Sequence, residues 1–142
     1  MNRGKPVLIY SSLTTCSACM HFKPEWEKIK RELESRVIIV EFVNVTPKYL
    51  EKYTQAFPSI VIVNQDEYYR YYNWNNTPKN INAIGYTIPG FKFNEVYDVD
   101  TGKYIRSNKP RTVENVIEFV YLTSDLVVNN IYREKGSKKF FV

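Results

Sequence analysis

The chain is short of the residues that staple or anchor a fold: 142 residues include two cysteines and one histidine. Both cysteines sit in one motif, Cys16-Ser17-Ala18-Cys19, so no spare pair exists for a structural bridge of the kind that holds small secreted domains together. No run approaches the ~18 consecutive apolar residues of a membrane span. The apolar segment Val7 to Tyr10, behind Arg3 and Lys5, is too short for the core of a signal peptide. Together these absences predict a protein that is not secreted by that route, uses no membrane and works in a reducing compartment such as the cytoplasm. The sequons Asn44-Val45-Thr46 and Asn75-Asn76-Thr77 are then incidental. There is no internal repeat and no long low-complexity segment. The net charge of +5 is scattered over helix faces and the C-terminal end instead of forming a block, which argues against a nucleic-acid partner.

What is present reads as one α/β domain, a length that buries a core without staples. Val7 to Ser12 is a short apolar run with strand character. Phe22, Trp26, Ile29 and Leu33 then recur at steps of four, three and four, one face of a helix that runs to about Ser35. Val37 to Val45 is β-branched and continuous, as in a strand covered on both faces, and completes a right-handed βαβ unit. Thr46-Pro47 reads as an N-cap and first helical position of a short crossover helix ending near Gln55. Ser59 to Val63 is a third strand.

Residues 64–90 are rich in Tyr and Asn, follow no clean period, and read as an insertion. Tyr68 to Trp74 within it is either a stacking surface or, more simply, a set of rings that buries the insertion against the sheet. Phe91 to Val99 and Lys103 to Ser107 flank the turn Asp100-Thr101-Gly102 as an antiparallel hairpin. Val113, Val116, Ile117, Val120 and Tyr121 mark a last helix. The domain is thus expected over residues 1–122, with a basic tail over 123–142. The expected architecture is a mixed sheet flanked by helices, its antiparallel edge supplied by the late hairpin.

Two cysteines at i and i+3 across a helix start can close a small disulfide ring without moving the backbone. Cys16 lies at the helix N-terminus, where free N–H groups and the dipole favour a thiolate, so it is the expected nucleophile. Cys19, one turn inside, is placed to attack a mixed disulfide on Cys16 and is the expected resolving thiol. This chemistry needs no cofactor. A zinc site would need four ligands, and the pair plus His21 supplies three, so no metal is expected. A cluster shared between two chains, or two inert core thiols, are the remaining uses of such a pair.

CSACMHFKPEWEKI resembles the active-site helix of the thioredoxin superfamily, including a proline five residues after the second cysteine, here Pro24. KYTQAFPSIVIV resembles the segment in which that family carries a cis-proline facing the two cysteines, and GKYIRSNKPRTVENVIEFV resembles the final strand and helix of disulfide isomerase domains. The resemblance covers most of the chain except the insertion and the tail. It extends to thioredoxin-domain proteins of giant DNA viruses, in keeping with an AT-rich coding bias. It implies a thioredoxin-like fold with an insertion before the final hairpin, and a Cys16–Cys19 redox disulfide. It further implies a thiol-disulfide oxidoreductase that acts on disulfide-containing proteins and is recharged by a reductase or small thiol. Phe57, Pro58 and Ser59 would line the substrate groove, by the strand-addition mode of peptide binding. Ile88-Pro89-Gly90 resembles the same proline segment, and if Pro89 held that role SIVIV would be an added strand.

Departures from the family pattern are specific. Thr15 stands where the family has tryptophan, and the strand VLIYSS lacks the buried acid that assists proton transfer from the second cysteine. With no histidine between the cysteines, a pair less oxidising than the strongest oxidants of the superfamily is expected. A redox-weak binding or virion-structural module on the same fold is the competing expectation.

Overall fold

The computed structural model of the protein describes residues 4–75, 87–98, 103–131 and 139–140. Strand β1 (Val7–Ser12) leads into helix α1 (Ser17–Leu33), followed by β2 (Ile38–Val43), a 3-10 helix (Lys48–Tyr53) and β3 (Ser59–Val63). Helix α2 (Gln65–Asn75), strands β4 (Gly90–Lys92), β5 (Glu95–Asp98) and β6 (Lys103–Arg106), helix α3 (Val113–Val128) and β7 (Lys139–Phe140) complete the order. The main sheet runs β2-β1-β3-β4, with β1 parallel to β2 and antiparallel to β3.

The two central strands are buried on both faces and divide their side chains by the period of two. Leu8 and Tyr10 of β1 and Ile60 and Ile62 of β3 join Phe22, Trp26, Ile29 and Leu33 of α1 and Val116, Phe119 and Val120 of α3 in one core. Val7, Ile9, Val61 and Val63 point the other way, into a second core with Tyr49 and Leu50 of the 3-10 helix and Tyr68 of α2. Each fully buried large apolar side chain contributes roughly 1.5–3 kcal/mol. These layers therefore hold the loop ends of β1 and β3 in place.

Several expectations need correction. Antiparallel pairing begins in the centre of the sheet, at β3, because a strand buried on both faces reads alike in either direction. The run from Phe91 is broken after Lys92: Asn94 takes a left-handed conformation (φ 74°), and its Oδ1 accepts from Ser107 Oγ (2.7 Å) and the Lys109 backbone N–H (2.8 Å). β5 consequently leaves the main sheet and pairs antiparallel with β6 in a separate three-stranded sheet, order β6-β5-β7. The short crossover helix is of 3-10 type and starts after Pro47, with no side-chain cap, so Thr46 does not cap it.

Part of the insertion is the helix α2. Asn64 caps it, accepting the Glu67 N–H at 3.1 Å, while its Nδ2 donates to the Val127 carbonyl at 3.1 Å. Tyr68 is buried and Tyr71 packs edge-on against Tyr49 (5.7 Å), whereas Tyr69 and Tyr72 are exposed. Helix α3 continues to Val128, with Thr123 and Val127 buried, so the residues just past 122 belong to the packed body. The expected turn at Asp100-Thr101-Gly102, the rest of the insertion and the second sequon lie wholly or partly outside the described residues. Among the described residues, no helix is long and apolar enough to cross a membrane.

Candidate functional site

β1 delivers the chain to a short loop whose shape is held from the side. Asn44, just past β2 in a left-handed conformation (φ 62°), accepts the Thr14 N–H at 2.9 Å and exchanges a bond with the Thr14 hydroxyl at 3.2 Å. Its own N–H donates to the Ser12 carbonyl at 2.9 Å. The sequence reading treated Asn44 as part of an incidental sequon; its value as a loop clamp rests on a positive φ that Asn tolerates better than most residues.

Cys16 is the N-cap of α1 (φ −90°, ψ 116°), and its Sγ accepts the Cys19 N–H at 3.1 Å. The first turn of α1 carries no acidic side chain, so the positive end of the helix is left for sulfur. Cys16 is half-buried and Cys19 buried, their Cα atoms are 5.2 Å apart, and the two form a disulfide. Thr15, Ser17, Ala18 and Met20 around them are exposed. His21 is exposed as well, and among the described residues no three metal-ligating side chains gather. Pro24 lies on the exposed side of α1, where it removes one ladder hydrogen bond.

Across from the cysteines, Cys16 Sγ lies 3.6 Å from the Phe57 carbonyl oxygen. The Phe57-Pro58 peptide is cis, the one such bond among the described residues. Phe57 is half-buried, while Pro58 and Ser59 are buried. Ser59 Oγ donates to the Tyr53 carbonyl at 3.0 Å, so this hydroxyl anchors the segment and does not line a groove. The register excludes Pro89 from the site. Ser11 pairs with Ser59 at the cysteine end of the sheet, whereas Val7 pairs with Val63, and Val63 with Gly90, at the other end. SIVIV is accordingly a central strand.

β1 carries no acid, and its Tyr10 is buried in the core with α1. Its ring stacks on Trp26 (4.3 Å between centroids), and burial, opposed by Arg111 and aided by Glu41, pushes its phenol up to about 12. β2 carries a carboxylate nearby: Glu41 is the register partner of Tyr10, accepts the Trp26 indole N–H at 2.7 Å and pairs with Lys30 at 3.4 Å. A cleft of about 300 Å³ on this side is lined by Tyr10, Thr14, Cys19, Trp26 and Glu41, with exposed Met20 at its rim. Glu41 was legible as a polar residue in an otherwise apolar strand, a signal the sequence reading passed over.

These features meet a family profile. The Thioredoxin family matches residues 1–84, a stretch that includes both cysteines and the Phe57-Pro58 segment. No curated protein matches the chain. Among solved structures it is similar to the first thioredoxin domain of mouse protein disulfide-isomerase A4, at 18% identity over 84% of this chain and 64% of that one, with a TM-score of 0.47. It is also similar to the J-Trx1 fragment of ERdj5, at 14% identity over 86% of this chain and 44% of that one, with a TM-score of 0.49. The chain thus spans less than two thirds of the length of either. With the profile matching more than half its length, around a strand-loop-helix that carries a CxxC pair, the chain belongs to the thioredoxin family and has its α/β fold.

Proposed function

We propose that the protein is a thiol-disulfide oxidoreductase acting on protein disulfides. The observation that carries this reading is the unequal placement of the two sulfurs: Cys16 caps the open end of α1 beside the Phe57 carbonyl, and Cys19 is buried one turn behind it. In the reduced protein the Cys16 thiolate attacks one sulfur of a substrate disulfide. The substrate S–S bond breaks, a mixed disulfide forms on Cys16, and the departing substrate thiolate takes up a proton. Cys19 then gives its proton to water in the adjoining cleft, on which Glu41 also opens, and attacks Cys16 Sγ. The mixed disulfide breaks, the second substrate thiol leaves, and the Cys16–Cys19 disulfide remains. Two electrons have passed from protein to substrate, and a small thiol or a reductase returns them. A reducing compartment such as the cytoplasm suits that cycle.

Phe57 and Pro58 are the proposed substrate contacts, with exposed Met20 and Val43 offering apolar surface beside the cysteines. Catalysed reduction of insulin disulfides by dithiothreitol tests the reading: the protein accelerates it and Cys16→Ser abolishes the acceleration. No acceleration by the intact protein would sink it. The absence of an acid from β1 favours one second reading, a binding module with little redox turnover. That reading predicts partners captured equally well after both cysteines become serine.

A further inference from the structure

A second cavity, of about 260 Å³, has Ala56, Pro58 and Ile60 in its lining. Its wall carries four cations, Lys92, Arg106, Lys109 and Arg111, against a single acid, Glu95. Glu95 is already held by Lys92 at 3.3 Å, and Lys109 reaches out to Glu118 at 3.6 Å. Arg106 and Arg111 are left without a carboxylate partner among the described residues. Arg111 is half-buried, its guanidinium 5.6 Å over the ring of Phe22, one turn along α1 from Cys19. Burial pushes its pKa down, opposed by Tyr10 and aided by the neighbouring charge of Arg106. A guanidinium held by packing loses little freedom when it meets an anion, and its fork matches a carboxylate.

The cavity is smaller than the ~300–1,000 Å³ of pockets that enclose whole small molecules. One side chain is the right size for it. It shares Pro58 with the segment that faces Cys16, so a polypeptide lying against Phe57 and Pro58 would pass its mouth. We propose that this cavity is an anion subsite that receives an aspartate or glutamate side chain of the substrate segment, with Arg106 and Arg111 as its ligands. The protein then selects disulfides flanked by acidic residues. The inference rests on the reading of Phe57 and Pro58 as substrate contacts.

The test uses two synthetic disulfide-bonded peptides matched except for glutamates or glutamines beside the cysteine. Their equilibrium binding to full-length Cys16→Ser/Cys19→Ser protein is read by fluorescence anisotropy. Their rate of mixed-disulfide formation with full-length Cys19→Ser is read by mass spectrometry. We expect the glutamate peptide to bind about 5- to 10-fold tighter at low salt, the scale of one charge-assisted pair, with the advantage shrinking as salt rises. Adding Arg106→Gln or Arg111→Gln to the protein should bring the ratio to within about twofold of unity; Arg111→Lys, which keeps charge and most of the packing, should retain part of it. Equal binding of the two peptides, or a preference untouched by Arg106→Gln at its exposed position, overturns the subsite. Absence of any mixed disulfide with either peptide overturns the proposed function instead, and the anisotropy ratio still decides the subsite.

Discussion

Asn44 offers the sharpest link between backbone conformation and the cysteine loop. Its side chain supplies the acceptor for the Thr14 N–H at 2.9 Å and a bond to the Thr14 hydroxyl, and its φ of 62° is a conformation that alanine adopts at a cost and glycine does not. Asn44→Gly removes the clamp alone. At an exposed site the loss is about 0.5–1.5 kcal/mol, one net hydrogen bond. Asn44→Ala removes the clamp and adds the left-handed penalty of about 1–2 kcal/mol, for a total of about 1.5–3.5 kcal/mol. For a chain of 142 residues each kcal/mol moves the melting temperature by about 3 °C, so the variants should melt ~2–5 °C and ~5–10 °C below the parent. Thermal and urea unfolding of the oxidised protein, followed by circular dichroism, measures both. Equal losses in the two variants would refute the backbone argument, and no loss in either would refute the clamp.

Three further outcomes follow from particular contacts. Tyr10 is held neutral by burial, with its phenol pushed up to about 12, and burial also raises Tyr49 and Tyr68. Groups whose folded pKa lies above the unfolded value of about 10 give stability that is complete below pH ~10 and lost as pH climbs toward 12. Urea midpoints should therefore fall over that range, less steeply in Tyr10→Phe; a flat alkaline profile would contradict the assignment. Gly90→Ala should cost about 1–3 kcal/mol, because an added Cβ meets the Ile62 carbonyl oxygen at 2.6 Å and Val63 Cγ1 at 2.8 Å, where β4 pairs with β3. Unchanged urea stability would show that β4 shifts freely. Ser17 and Ala18 bring no charge to the Cys16 sulfur, so a glutathione redox titration should place the pair well to the reducing side of ~−120 mV, the poise of the strongest oxidants. A value among those oxidants would reject this.

The strand-loop-helix with its cysteines was readable in the sequence because its signals are local. Phe22, Trp26, Ile29 and Leu33 keep helical spacing and all four are buried, and the apolar runs on either side became β1 and β2. Less readable were features set by distant partners. The direction of SIVIV depends on which side of β1 it joins, and the break at Asn94 depends on Ser107 and Lys109. Helix α2 was hidden because tyrosines lie all round it, although Asn64 followed by Asp66 and Glu67 is a helix-start pattern that could have marked it. Ser59 was expected to line the substrate groove and Glu41 was not singled out, for a similar reason. Whether a polar side chain in a strand faces a carbonyl or a cleft is decided by the neighbouring element, and for these two the neighbours are the 3-10 helix and α1.

The central claim is that Cys16 is the attacking sulfur and Cys19 the resolving one. Full-length Cys19→Ser, reduced and mixed with a disulfide-bonded protein substrate, tests it by mass spectrometry of the products. A stable one-to-one mixed disulfide mapped to Cys16, with none forming on Cys19 in Cys16→Ser at a comparable rate, is the predicted result. No adduct on Cys16, or equal trapping by either cysteine, would contradict the account.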